Sequence, residues 1–382
     1  MNRKIRMGMV GGGIGAFIGG VHRMAALLDG QIELVCGAFS SDAERSRLSG
    51  EGLYIAPERV YGSYEEMILK EKELPLGERM DFVSIVTPNH VHFGPSKMAL
   101  ENGFHVVSDK PLCFNLQEAY ELKSIVDKSG LVFALTHNYT GYPMVKQARH
   151  LVSSGALGVI RKVIVEYPQG WLNIPKETGD NKQAAWRTDP SKSGIAGAMG
   201  DIGTHAENLA EYITGLKISK LCAQISTLVD GRLLDDDGNV LLEFDNGAKG
   251  ILHASQICAG EENALNIRVY GEKGGLEWHQ MEPNTLVVKW EGAPSQVYRT
   301  NKGPLCDAAR AHARIPEGHP EGYIEAFANI YRNAAMAIAA HIEGKPHNTL
   351  YDFPTIDDGV RGMEFIYKVI ESGESDLKWT TV

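Results

Sequence analysis

The stretch KIRMGMVGGGIGAFIGGVHRMAALLDG, residues 4–30, decides the fold. A short apolar run reads as a strand, a glycine cluster follows, and apolar residues then recur at helical spacing. Within it, Gly11-x-Gly13-x-x-Ala16 matches the dinucleotide fingerprint, with alanine at the permitted last position. The first glycine allows a tight turn and the second lets a pyrophosphate approach the backbone. The small third residue lets helix and strand pack closely. The helix then starts with free N–H groups facing phosphate, which makes Ile14 and Gly15 candidate cofactor contacts beside Gly11 and Gly13. A glycine-rich turn also occurs without a ligand, so the surroundings decide.

Those surroundings alternate strand and helix. The run IELVCGAF follows at the distance of a βαβ unit, and DFVSIVT, a buried strand, comes after a further helical stretch. This order argues a parallel, doubly wound sheet. The end of the second strand, AFSSDAER, departs from the usual pattern: Phe39 stands where an acid would bond the adenosine ribose. Ser40 and Ser41 offer hydroxyls to a ribose or a phosphate, Asp42 opposes a phosphate, and Arg45 does the opposite. NAD is expected, with NADP left open. Ligands of open α/β sheets lie beyond the carboxyl ends of strands, so Thr87, Pro88, Asn89 and His92 of SIVTPNHVHF (84–93) are expected at the cofactor. The same argument applies to VVSDKPLCFN (106–115). Pro111 biases Lys110 away from helix and aims it from a strand end, next to Asp109. Oxidising an alcohol requires removal of the hydroxyl proton, and a lysine can take it or stabilise the alkoxide.

Composition sets the outer bounds. The chain has 382 residues, 43% hydrophobic and 23% charged, long enough for two domains. Its net charge of −10 argues against a nucleic-acid partner, and no apolar stretch is long enough to span a bilayer. The five cysteines (Cys36, Cys113, Cys222, Cys258, Cys306) are scattered and never form a CxxC pair, as expected for thiols of a reducing cytoplasm. The start, MNRKIRMGMVGGG, lacks the apolar core of a secretory leader. From VIRKVIVEY to SQVYRT strand follows strand, with turns expected at DDDGN and DNGAKG, which argues an antiparallel sheet. Residues 171–198 read as a loop covering the crevice, and TIDDGVRGMEFIYKVIESG as an amphipathic helix beginning near Asp357.

In MGDIGTHAENLAEYITG, Asp201 and His205 are four apart and fall on one helix face. The imidazole is suited to act as base, with Asp201 orienting the site or bonding a substrate hydroxyl. The competing reading makes Asp201 an N-cap and His205 a packed helix residue. The spacing also permits a metal, but no third ligand is signalled, so no metal is expected.

Taken in order, the glycine fingerprint, TPNHVH, SDKPL, HNY, AWRTDP and GDIGTH resemble the Gfo/Idh/MocA family of NAD(P)-dependent oxidoreductases over nearly the whole chain. The resemblance implies a Rossmann domain (1–135) joined to an α+β substrate-binding domain (136–382) with an open, mostly antiparallel sheet. It also implies homo-oligomers assembled through that sheet, and oxidation or reduction of sugars and cyclitols. Lys110 corresponds to the lysine of the family's E-K-P motif, with Asp109 in place of the longer glutamate, bonding the lysine or the cofactor ribose. Asn138 and Tyr139 are placed on the nicotinamide side, and Trp186 and Arg187 near the cofactor or the site entrance, the other reading of that pair being interdomain packing. His319, Glu321 and Tyr323 of GHPEGYIEAFANIY are read as reaching a polyol, the other reading being a loop that only caps the helix it opens. The expected catalytic set is Lys110, His205 and Asp201, with Tyr139 and His319 also touching substrate.

The expected activity is hydride transfer between NAD(P) and a secondary hydroxyl of a pyranoside. The resemblance to a GAFIGxVHR…HPEGY branch favours a glucoside oxidised at C3 over free inositol. Alternatives are an inositol dehydrogenase, an NAD-dependent glycosidase working by transient oxidation, and a non-catalytic nucleotide-binding scaffold.

Overall fold

Five runs of apolar and β-branched residues form one parallel sheet: β1 (Ile5–Gly11), β2 (Ile32–Ala38), β3 (Phe82–Val86), β4 (His105–Ser108) and β5 (Phe133–Leu135). Their order is β2-β1-β3-β4-β5. All residues of β3 and β4 are buried, as strands covered on both faces require. Helices α1 (Phe17–Leu27), α2 (Ala43–Gly52), α3 (Tyr64–Glu73), α4 (Phe93–Glu101) and α5 (Leu116–Ser129) alternate with these strands. The direction of winding reverses between β1 and β3, the point at which an open α/β sheet opens its ligand crevice. The computed structural model describes residues 2–177, 179 and 181–382.

The chain divides into two units, the first running to Asn138 and resuming over Tyr323–Val360. This differs from the expected 1–135 and 136–382 division, and the physical reason lies in α11 (Tyr323–Ile342). Its Phe327, Tyr331, Ala334, Ala335 and Ile338 repeat at helical spacing and share one core with Met7, Met9, Val21, Ala25 and Phe82. That apolar stripe returns the segment to the nucleotide-binding unit.

The second unit comprises Tyr139–Gly322 and Arg361–Val382. It contains α6 (Pro143–Ser153), β6 (Ile160–Pro168), α7 (Lys182–Arg187), α8 (Pro190–Ser193), α9 (Thr204–Thr214), β7 (Ile218–Ser226), β8 (Asp237–Phe244) and β9 (Lys249–Ser255). Then come β10 (Asn266–Gly271), β11 (Gly274–His279), β12 (Thr285–Trp290), β13 (Gln296–Arg299) and α10 (Asp307–Ala311), with β14 (Thr380–Thr381) near the carboxyl end. The strands make a nine-stranded sheet, β13-β12-β11-β10-β6-β9-β8-β7-β14. Only β6 and β9 pair in parallel; the other pairs are antiparallel. Gly238, Val240, Leu242 and Phe244 of β8 are buried in strict alternation, the pattern of a sheet with one covered face. Helices α6 and α9 lie on that face. As expected, α12 (Ile356–Gly373) begins beside Asp357. Among the described residues no helix is long and apolar enough to cross a membrane.

Two local expectations change. Positions 171–198 carry α7 and α8 rather than continuous loop, and positions 178 and 180 of that stretch lie outside the described residues. DDDGN is not a hairpin turn. Asp235 and Asp236 are buried, and Asp237 already starts β8. The Asp235 carboxylate accepts from Gly197 N (2.6 Å) and Met199 N (2.7 Å), while Asp236 accepts from Leu228 N and Val229 N, both at 2.9 Å. Burial pushes the Asp235 carboxyl up to about 6 against the opposing pull of those amides. The acids serve as loop anchors, whereas DNGAKG is the true turn, with Gly247 at φ 85°.

Candidate active site

In the first unit the glycines shape a cradle at the end of β1. Gly11 has φ 79°, and a Cβ there would come within 2.4 Å of Val86 O. A Cβ on Gly13 would meet Phe39 O and Ser49 Oγ at 2.7 Å. The turn is closed by Gly13 N to Phe39 O (3.1 Å) and by Ile14 N to Ser49 Oγ (3.0 Å). Gly15, at φ 81°, faces open space. Ala16 precedes α1 without any side-chain cap, so the first helical amides stay available for phosphate. The close approach assigned to Ala16 in fact belongs to Gly19, whose Cβ would meet Gly12 Cα and O at 2.4 Å. Gly19→Ala is therefore expected to push α1 off the turn at a cost of about 1–3 kcal/mol. Thermal melting and NAD titration of tryptophan fluorescence will report a lower melting temperature and weaker cofactor binding.

After β2, Ser40 Oγ accepts from Asp42 N at 3.1 Å, and Asp42 accepts from Arg45 N at 2.7 Å, capping α2. Ser41 is exposed. After β3, Thr87 and Pro88 are half-buried and Asn89 is buried. Thr87 Oγ1 is buried with no protein partner, which leaves it for a ligand or an ordered water. His92 is also buried, but its ring nitrogens lie on Pro111 O (2.8 Å) and Thr87 O (2.9 Å). It ties the β3 turn to the lysine loop through backbone carbonyls. Asn138, at the end of the first unit, is buried with Nδ2 unpartnered. Cradle, uncapped helix start and orphaned Thr87 hydroxyl together fit a bound dinucleotide.

Asp109 and Lys110 follow β4. The Asp109 carboxylate accepts from Lys110 N (2.8 Å) and Thr136 Oγ1 (2.9 Å), and His22 Nε2 lies 3.5 Å away. Burial would raise this carboxyl, yet His22, Lys110 and His92 outweigh it and hold it well below the usual carboxylate range. His137 is also pushed down, to about 3, first by burial and then by the Lys110 charge. The lysine is thus set among a carboxylate and buried imidazoles.

The second unit assembles a different cluster. Asp201 sits in a wide, π-type turn, Met199–Gly203, directly ahead of α9, so it is neither a helix cap nor part of a regular α-helical face with His205. Its Oδ2 accepts from Arg187 Nε (3.2 Å) and Gln256 Nε2 (2.8 Å). Arg187 stacks over Trp186, 4.3 Å from the ring centre. Arg187 was expected near the cofactor or the site entrance; among its described partners is the Asp201 carboxylate. His205 is buried, edge-on to Tyr139 at 4.8 Å. Tyr139 is joined to the Tyr167 hydroxyl, and Asn263 donates to the Tyr139 hydroxyl at 3.1 Å. Burial raises the Tyr139 phenol despite those bonds, with Asp201 adding to the rise. His319 is exposed, with Nδ1 on Pro316 O at 3.2 Å. Glu321 is buried and accepts from Arg314 N and Ile315 N, which makes it a brace for its own loop and not a reach toward substrate.

His22, Ser49, Thr136, Tyr167, Gln256 and Asn263 went unread in the sequence. The motif GGVHR contains His22, but nothing local marks its partner; the others stand singly at strand or loop positions.

Comparison with known proteins agrees with both halves. Residues 5–137 match the model of an oxidoreductase family with an NAD-binding Rossmann fold, and residues 145–277 match the GFO/IDH/MocA C-terminal domain. An uncharacterized oxidoreductase of Bacillus subtilis, YfiI, is 35% identical over 99% of this chain and 97% of its own length. The crystal structure of an inositol dehydrogenase homolog from Azotobacter vinelandii, complexed with NAD+, superposes with a TM-score of 0.95 at 36% identity, covering 100% of this chain and 98% of that one. The same homolog complexed with NADH and myo-inositol gives 0.93 at 35% identity over the same shares. The chain belongs to the GFO/IDH/MocA oxidoreductase family, whose members similar to it are NAD-dependent dehydrogenases of the sugar and cyclitol type.

Proposed function

We propose that the protein oxidises a secondary ring hydroxyl of a neutral cyclic polyol, with His205 taking the hydroxyl proton, the Lys110 ammonium stabilising the developing alkoxide and Asp201 orienting the substrate. Bound NAD supplies the hydride acceptor. His205 is buried against the rings of Tyr139 and Tyr167. The observation that carries the choice of substrate is the charge balance of the second unit. Arg187 is matched by Asp201 at 3.2 Å, and the buried Arg232 by Glu177 at 3.0 Å and Asp236 at 3.4 Å. With its arginines so paired, the cluster suits hydroxyls rather than a phosphate or carboxylate. A cyclitol is favoured over a glucoside by the full-length likeness to a homolog holding myo-inositol; a pyranoside oxidised at C3 is the second choice. Association through the nine-stranded sheet is part of this reading, supported by the exposed Leu241 and Ile251 on its outer face.

The test is NADH formation against myo-inositol, methyl glucosides, free sugars and glucose 6-phosphate, with NAD and NADP separately. Reduction by neutral polyols and not by the phosphorylated sugar is expected. A preference for the phosphate ester would contradict the charge argument, and aglycone release without net NADH would replace the dehydrogenase by the hydrolytic alternative.

A further inference from the structure

The interface between α1 and α11 is apolar along most of its length, with Val21, Ala25, Phe327, Ala334 and Ile338 in one core. One polar chain crosses it. Ser84 Oγ lies 2.7 Å from Tyr331 Oη, Tyr331 Oη lies 2.6 Å from His22 Nδ1, and His22 Nε2 lies 3.5 Å from Asp109 Oδ2. Ser84 and His22 are fully buried and Tyr331 is 1% exposed. The His22 ring is gripped edge-on by Phe327 at 4.7 Å and Tyr331 at 5.7 Å, so it has little freedom to turn.

A buried polar chain is a poor choice for stability alone, because well-packed apolar residues usually hold such an interface as well or better. This one ends on the carboxylate whose other oxygen accepts from the Lys110 amide and from Thr136. With Ser84 donating to Tyr331 and Tyr331 donating to Nδ1, the N–H of His22 is on Nε2 and faces Asp109 at 3.5 Å, an ion-pair separation longer than a hydrogen bond. We infer that His22 is a positioning residue for the hydride-transfer step: backed by Tyr331 and Ser84, it fixes the Asp109 carboxylate, which in turn holds the backbone turn that aims Lys110. The inference rests on the dehydrogenase reading above for its kinetic consequence. The roles differ in kind: Lys110 meets the substrate, whereas His22 acts only through Asp109.

The experiment is a double-mutant cycle of His22→Leu with Asp109→Asn, read by steady-state kinetics and by thermal melting. His22→Leu is expected to lower kcat about 10–100-fold, the usual scale for a residue that orients another, with KM for NAD unchanged. His22→Gln, whose amide can still donate toward Asp109, restores part of the loss, and Tyr331→Phe lowers kcat in the same direction by less. The double variant is no slower than Asp109→Asn alone. Losses that multiply in the double variant, or a Gln variant as slow as the Leu variant, would overturn the inference. The melting cycle needs no substrate: non-additive shifts support coupling of residues 22 and 109, and additive shifts contradict it. Absence of hydride transfer from every polyol would defeat the dehydrogenase reading, and the melting cycle would still decide this one.

Discussion

Lys110→Met is expected to lower kcat by about 10²–10⁴-fold, the range that a positioned acid–base or charge-stabilising group supplies, while NAD binds as tightly as to the parent protein. Methionine keeps the length and the apolar stem but brings no charge to the alkoxide. The turn itself should survive. Asp109 is bonded to the Lys110 backbone amide and to Thr136, not through the lysine side chain in those contacts, and His92 continues to bridge Thr87 and Pro111. The cofactor cradle of Gly11, Gly13 and Gly15 is likewise untouched. An interaction made only as the alkoxide develops lowers kcat without altering ground-state affinity when lost. Stopped-flow NADH formation and fluorescence titration with NAD separate the two effects. A variant with full turnover would remove Lys110 from the chemistry.

A loss of similar size, about 10²–10⁴-fold in kcat, is expected for His205→Gln. Glutamine occupies nearly the same volume between Tyr139 and Tyr167 and keeps a polar end, so the aromatic wall and the Tyr139–Tyr167–Asn263 bonds stay in place. What disappears is a group able to take a proton. The variant should keep its affinity for NAD while hydride transfer falls, which fluorescence titration and stopped-flow NADH formation separate. Asp201→Asn is the informative partner, since it keeps an oxygen for Gln256 but removes the negative charge facing Arg187. It should raise KM for the polyol as well as lower kcat. Were His205→Gln to retain the parent rate, His205 would be a packing residue only.

What was legible in the sequence follows from where the physics is local. The glycine turn was readable because only residues without a Cβ tolerate the backbone approach of Gly11 to Val86 and of Gly13 to Phe39. Strand β3 was readable from an unbroken apolar run, and Lys110 from its place between a strand end and a proline. The rest depends on pairings that no spacing announces. His22 and Tyr331 are separated by 309 positions, and Tyr139 and Asn263 by 124. Helix α11 carries an apolar stripe, but its place is decided by the complementary faces of α1 and of β1, β4 and β5, which lie far off in sequence. The triplet Asp235–Asp237 looked like a turn because acids are usually solvated, yet burial of the first two is compensated by backbone amides. The wide turn at Met199–Gly203 also leaves no local mark, so the spacing of Asp201 and His205 alone reads as one regular helix face.

The most direct measurement is isotope transfer: the purified protein is turned over with NAD and myo-inositol carrying deuterium on its ring carbons, and the NADH is examined by mass spectrometry. The account predicts one deuterium on the nicotinamide ring, abolished by Lys110→Met. NADH without deuterium, or transfer undiminished in that variant, would contradict it.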